Sequence, residues 1–273
     1  KNGLPSCVQS GQRLCPAAPT LPDLRKAAGL LVRVASPVLD RLARAACDAG
    51  CTVLLSDARG PSLDERVRDG DKREFHASNL APGTDWSEGA EGTNGIGTCL
   101  AEGRAVTVWR DQHFRSTNTG LTCMGSPVFG ATGELAGVID ISSVRDDMAE
   151  GYARIVALTV QDAAQRIEAD LFRASFEGAR ILSAGAGENA PQGVMLLALD
   201  RDDLVIGATR AARRHLGIED SAIGRLNASE QALLDSEAAR AREKTRAEAL
   251  QSRMDSLRAE AEKLRLAPGG ALA

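Results

Sequence analysis

Apolar residues recur at helical spacing between Pro22 and Ala49: Leu24, Ala27, Ala28 and Leu31, then Val38, Leu39, Leu42 and Ala46. This period puts side chains on one helix face, and Pro37, which lacks an N–H, divides the stretch into two helices. Thr52 to Asp57 is a short β-run, and Asp57-Ala58-Arg59-Gly60 reads as a turn toward a hairpin partner. Ser62 to Asp71, where that partner should lie, is unusually charged for a strand. Residues 83–98 carry five glycines with Thr and Asn between apolar positions. They read as a loop running into a helix from Gly95 to Glu102, with Thr93 or Asn94 as N-cap and Gly103 as a left-handed C-cap. Three strands follow: Ala105 to Trp109, Ser126 to Phe129, and Leu135 to Ile141. A tight turn at Gly130-Ala131-Thr132-Gly133-Glu134 joins the last two. Met148 to Phe176 is one long amphipathic helix, with Ile155, Leu158, Thr159, Ala163, Ile167 and Leu171 along its stripe.

This order predicts an α+β domain, an antiparallel sheet flanked by helices, over residues 23–178. Residues 1–22, rich in Pro, Gly and Ser, read as a flexible lead-in. After a Gly/Ala linker at 183–190, Val194 to Asp200 and Leu204 to Ala208 form a hairpin about Arg201-Asp202-Asp203. Thr209 to Leu216 makes a helix ended by Gly217, so a partial α/β segment spans 191–220. From Ala228 to Leu266 the composition turns to Ala, Glu, Arg and Leu. Ala247, Leu250, Met254, Leu257, Ala261 and Leu264 keep the spacing of a coiled-coil seam, so a helical tail is expected at 228–266.

Composition narrows the function. Of 273 residues 43% are apolar, enough for a core, but only 3% are aromatic, so Ala, Val and Leu must build most of it. The net charge of −4 gives no global basic field for nucleic acid. No apolar run approaches the roughly 20 residues of a membrane span, and no signal peptide is evident, so a cytoplasmic protein is expected. The chain opens on Lys1 rather than Met, which points to numbering that starts inside a longer protein. Six cysteines stand at 7, 15, 47, 51, 99 and 123 without a C-x-x-C pair or a histidine pair to complete a zinc site. No metal and no cofactor is implied.

The candidate chemistry lies between Asp85 and Ser142. Trp86 and Glu88 flank the glycine-rich loop and read either as a lid over a ligand pocket or as a core Trp with a capping carboxylate. Thr93, Asn94 and Thr98 cluster at a helix N-terminus, suited to a polar ligand or to plain capping. The run Gly92-Thr93-Asn94-Gly95-Ile96-Gly97 fits neither a dinucleotide fingerprint nor a P-loop. His113 and Phe114 precede a polar loop; a structural role for His113 competes with ligand contact, and a pairing with Cys123 across adjacent strands suggests a metal or a redox-sensitive thiolate. Cys99 and Cys123 have no evident base and oxyanion set, so buried, reduced thiols are the default.

Trp86-Ser87-Glu88, Gly92-Thr93-Asn94 with Ile96-Gly97-Thr98, His113-Phe114, Leu121-Thr122-Cys123 and Gly137-Val138-Ile139-Asp140-Ile141-Ser142 stand in the order and spacing of a known domain. The stretch resembles the sensory GAF domain of bacterial transcription activators in the acetoin- and glycerol-catabolism regulator class, usually sigma-54-dependent. The likeness extends more loosely over 35–178, and Leu197 to Leu216 resembles the first hairpin and helix of a PAS domain. It implies a small-molecule sensor, with a carbon-source metabolite as ligand, that transmits its state through helices to an output partner or domain outside this chain. A homodimer is expected, and transcription machinery or DNA only through regions not in this chain. No Walker A motif, sigma-54-contacting loop or recognition helix is found here, so ATP hydrolysis and DNA binding are not carried over. The chain is then a sensory fragment or a naturally shortened or fused regulator. The expected pocket is lined by Trp86, Glu88, Thr93, Asn94, Thr98, His113, Phe114 and Cys123, with no catalytic residues. Two alternatives are a structural adaptor dimerising through its tail and a thiol-based reductase of the GAF fold using Cys99 or Cys123.

Overall fold

The structure, a computed structural model, describes residues 19–184 and 194–228. The described residues form two compact units, one from 19–128 with 135–167, the other from 129–134 with 168–184 and 194–228. Residues 1–18 of the expected lead-in, with Cys7 and Cys15, residues 185–190 of the expected linker and the expected tail beyond Ala228 lie outside the described residues, and the end of the lead-in is corrected: Leu21 and Pro22 already belong to the first helix.

In the first unit, α1 (Leu21–Ala27) and α2 (Gly29–Ala46) precede β1 (Cys51–Asp57) and β2 (Ser62–Arg66). Then come α3 (Lys72–Ala77), α4 (Glu88–Glu91), α5 (Gly95–Glu102) and β3 (Val106–Trp109). The strands β4 (Thr122–Phe129) and β5 (Leu135–Ser143) and the helix α6 (Glu150–Ser175) complete it, the last turns of α6 grouping with the second unit. The five strands lie in the order β2-β1-β5-β4-β3, with β1 antiparallel to β2 and β5, and β3 antiparallel to β4. Register divides the sheet into two faces. Leu54 and Val138 point with Cys123 into an apolar cluster that also holds Phe75, Trp86 and Ile96. Cys51 and Ile141 point to the other face, against α2 and α6. With both faces covered, β1 and the second half of β5 are buried without interruption, which is why their sequences read as continuous runs rather than alternating ones.

Three local expectations are corrected. The helix break falls at Ala28, not Pro37, which sits inside α2. Pro37 removes one backbone hydrogen bond, an interior fault worth about 3 kcal/mol. The buried stripe Leu31, Ala35, Leu39, Ala46 runs straight through it and holds the helix on the sheet, whereas Gly29 is a poor helix former with no such anchor. The charged segment does form a strand, ending at Arg66 rather than Asp71, because its charges are matched within the strand and from neighbouring helices. Arg66 reaches Asp40 Oδ1 at 2.5 Å and Asp64 Oδ2 at 3.0 Å, and Glu65 accepts from His76 of α3 at 2.8 Å. On α6 the inward residues include Ala153, Val156, Val160, Ala163 and Ile167, while Ile155 and Leu158 are 63% and 66% exposed.

In the second unit β6 (Arg180–Ala184), β7 (Met195–Leu199) and β8 (Val205–Ala208) form an antiparallel sheet in that order, followed by α7 (Arg210–Leu216). The hairpin and helix match expectation, with Thr209 capping α7 and Gly217 closing it at φ 67°. The strand β6 was not anticipated. Among the described residues no helix is long and apolar enough to cross a membrane.

Candidate functional site

The expected N-cap of α5 is Asn94, and it does more than cap. Its Oδ1 accepts the Gly97 N–H at 2.8 Å, and its Nδ2 donates to the carbonyls of Trp86 at 2.9 Å and Gly92 at 2.8 Å. Glycine is required on this helix because it lies almost on top of its neighbours. A Cβ at Gly97 would stand 2.5 Å from the Trp86 carbonyl oxygen, and one at Gly95 would stand 2.5 Å from Cys123 Cβ and 2.7 Å from Asp140 Oδ1. The glycine-rich run thus brings the first turn of α5 onto the middle of β4 and β5.

Beneath that turn runs a thread of buried polar side chains. Asp140 Oδ2 lies 2.5 Å from Ser142 Oγ, which lies 3.1 Å from Cys123 Sγ. Cys123 Sγ is 3.4 Å from His113 Nε2, and His113 Nδ1 is 2.9 Å from the Arg110 carbonyl. The carbonyl can only accept, so Nδ1 carries the imidazole proton and Nε2 accepts from the thiol. Burial pushes His113 below its ordinary value. Burial and the nearby Asp140 push the Cys123 thiol far up. Burial raises Asp140 to about 6, the Ser142 hydrogen bond opposing the rise. Burial thus keeps the imidazole and the thiol neutral, so the thiolate a nucleophile needs is strongly disfavoured, while Asp140 changes charge near pH 6. Asp140 Oδ1 in the thread and Nε1 of Trp86, which shares an apolar cluster with Cys123, are buried without a hydrogen-bond partner among the described residues.

Of the expected residues, Trp86, Asn94, His113 and Cys123 come together on this face, each buried. Glu88 and Thr98 join at its rim, where Thr98 Oγ1 donates to Glu88 Oε1 at 2.6 Å. Thr93 contributes its carbonyl, which accepts the Phe114 N–H at 3.1 Å. Phe114 is 78% exposed, its ring lying over Gly92. The expected His113–Cys123 pairing is present, but among the described residues no group of three or more His, Cys, Asp or Glu could hold a metal. Asp140 and Ser142 were overlooked as site residues. Their signal was two polar residues at a two-residue spacing in an apolar strand, which places both on one face.

A cleft of about 410 Å³ opens on the opposite face between α2 and α6. Val38, Leu42, Tyr152 and Ile155 line it with Arg41, Asp162 and Arg166, none of which has an ion-pair partner among the described residues.

The family described as "MimR, N-terminal domain" matches residues 14–168. The Acetoin catabolism regulatory protein of Cupriavidus necator is 32% identical over 186 residues, 66% of this chain and 27% of that protein. The Propane 2-monooxygenase operon transcriptional activator MimR of Mycolicibacterium smegmatis is 38% identical over 114 residues, 41% of this chain and 20% of that protein. The Acetoin dehydrogenase operon transcriptional activator AcoR of Bacillus subtilis is 30% identical over 182 residues, 66% and 29% of the two chains. The chain thus spans less than one third of the length of these relatives, which are named as regulators of transcription or catabolism rather than as enzymes.

Asp140 makes the site measurable through pH. Its carboxyl titrates at about 6 in the folded chain against an ordinary 3.8, so between these values the fold keeps a proton that the unfolded chain releases. Stability therefore falls as pH rises through this window and is fully reduced above it. Glu168, raised by burial to about 7, acts in the same sense. Urea denaturation at about pH 4.5 and about pH 7 should show the wild type losing roughly 2 kcal/mol more than Asp140→Asn. Equal losses would mean that Asp140 titrates normally.

Proposed function

Because the chain belongs to the MimR N-terminal domain family, we propose that it is the small-molecule-sensing input region of a bacterial transcriptional regulator. The observation that carries this reading is the buried polar thread from Asp140 to His113, sealed by α5, with Asp140 Oδ1 and the Nε1 of Trp86 in the adjoining apolar cluster left unmatched. Buried polar groups are nearly always matched, and exceptions gather where a ligand or water belongs. The antiparallel sheet with a helix pair on one face and short helices on the other supports a GAF-like sensory domain over 23–178. The β7–β8 hairpin with α7 supports a partial PAS-like segment over 191–220. A ligand acts here by binding two arrangements of the sheet and its helices unequally. The output, sigma-54-dependent activation in this proposal, is the work of a partner or further region. Names of the relatives bring acetoin and the products of propane oxidation into the set of ligands to try.

We further propose that the working unit is a homodimer paired through α2 and α6. Tyr152, Ile155, Thr159, Asp162 and Arg166 follow one another at three- and four-residue steps along the cleft, the spacing of a helix-pairing seam. Its unpaired charges have both signs, so a two-fold axis would set Asp162 of each copy against Arg41 or Arg166 of the other.

A thermal-shift screen with acetoin, small ketones, alcohols, diols and short acids tests the sensor. A compound at 100 times its dissociation constant should add about 2.7 kcal/mol of stability, and Trp86→Ala should abolish the shift. No response in wild type to any compound would remove the proposal. For the dimer, sedimentation of Ile155→Glu should show self-association weakened about tenfold or more, since a charge would enter the apolar seam. Unchanged association would place the contact elsewhere.

A further inference from the structure

Three elements enclose Cys123 Sγ. Ser142 Oγ reaches it from β5, the Gly95 N–H from α5, and Nε2 of His113 from the loop 110–121 that joins β3 to β4. The first two are anchored by apolar burial. β5 is a central strand, and α5 is packed through Ile96 and Cys99 into the apolar cluster. The loop is held in another way. From Asp111 to Gly120 the buried side chains are His113 and Asn118, both polar, while Phe114 is 78% exposed. Polar contacts contribute little net stability, so a segment held by them opens more readily than one held by a core. Its ends meet, with the Arg110 N–H donating to the Leu121 carbonyl at 2.8 Å, which makes it a compact surface loop that can move as a body.

We propose that the loop 110–121 is the lid of the sensory face, latched to α4 by Glu91, and that it opens to admit the ligand beside His113 and Cys123. The proposal rests on the sensor reading above and adds how its site is entered. Glu91 Oε2 lies 3.0 Å from Arg115 Nε and accepts from Asn118 Nδ2 at 3.2 Å, so one carboxylate holds the outer part of the loop at two points. Asn118 passes this hold into the loop's own shape. Its N–H donates to the Arg115 carbonyl and its carbonyl accepts the Leu121 N–H, each at 2.9 Å. Neutral acceptors add weaker ties to the same cover: the Ala90 carbonyl receives the Arg115 guanidinium, and the Thr93 carbonyl the Phe114 N–H at 3.1 Å. At the base, the Arg110 guanidinium donates to the Arg145 and Asp146 carbonyls and stays in place. The Arg110 backbone has φ 37°, a strained value for a residue with a side chain, so rotation there relieves strain and makes it the hinge. Opening carries His113 away from Cys123 and leaves α5 seated on the sheet by Asn94.

Alkylation of the full chain with N-ethylmaleimide, followed at each cysteine by mass spectrometry, tests the lid. Cys123 and Cys99 share the apolar cluster but differ in cover. Cys99 sits on α5, is fully buried, and its thiol donates to the Arg104 carbonyl at 3.3 Å, so it reacts only when α5 moves. Glu91→Ala should speed the alkylation of Cys123 about tenfold or more and leave that of Cys99 unchanged. Arg115→Ala releases the latch from the loop side, with α4 untouched, and should do the same. If both cysteines speed up together in both variants, α5 or the whole unit opens. If the Cys123 rate is unchanged in both, Glu91 latches nothing. Either result overturns the lid. The labelling needs no ligand, so an empty thermal-shift screen with Cys123 released as expected removes the sensor and leaves the moving loop. A responsive screen with Cys123 unreleased leaves the sensor and removes this entrance.

Discussion

Asn94 joins three segments with one side chain, and most of the covered face of the sheet depends on it. Its amide holds the carbonyls of Trp86 and Gly92 while its oxygen caps α5. An N-cap alone stabilises a helix by about 1 kcal/mol. Here the same residue also fixes the loop that carries Trp86, so the tryptophan and α5 are placed as one body. Gly95 and Gly97 make that placement sterically possible, since a side chain at either would collide with Cys123 or with the Trp86 carbonyl. The motif is an instruction for close approach, and the polar thread is what it closes over.

That closure sets the electrostatic character of the site. β5 is a central strand with both faces covered, and it carries Asp140 and Ser142 into the interior. An ionised carboxylate there would be costly, and no cation offsets its burial. The structure answers by raising that carboxyl to about 6 and by linking it to uncharged partners: hydroxyl, thiol, imidazole and a carbonyl. The same burial that keeps Cys123 a thiol removes the nucleophile a reductase would need. Recognition of an uncharged molecule suits this environment better than acid–base or thiol chemistry.

Much of this was legible in the sequence. The α5 boundaries, an N-cap at Thr93 or Asn94 and the left-handed Gly103, found at φ 60°, follow from local chemistry, which a single chain spells out; the structure selects Asn94. His113 next to Phe114 told that one ring would be buried and one not only once the sheet was in place. Charged β2 was hard to recognise because its partners, Asp40 and His76, come from elements distant in sequence. Pro37 misled for a related reason: packing of Leu31, Ala35 and Leu39 outweighed a local fault.

The central claim is that the face under α5 receives the ligand. The chain has two tryptophans, Trp86 in that face and Trp109 at the end of β3, directly paired with Thr122 and so turned to the other side. Two indole N–H signals are therefore expected in a nitrogen-15 correlation spectrum, and Trp86→Phe assigns them. On titration with a compound that stabilises the protein, the account predicts that the Trp86 indole signal moves while that of Trp109 stays in place. A bound compound that leaves the Trp86 signal unmoved would contradict it.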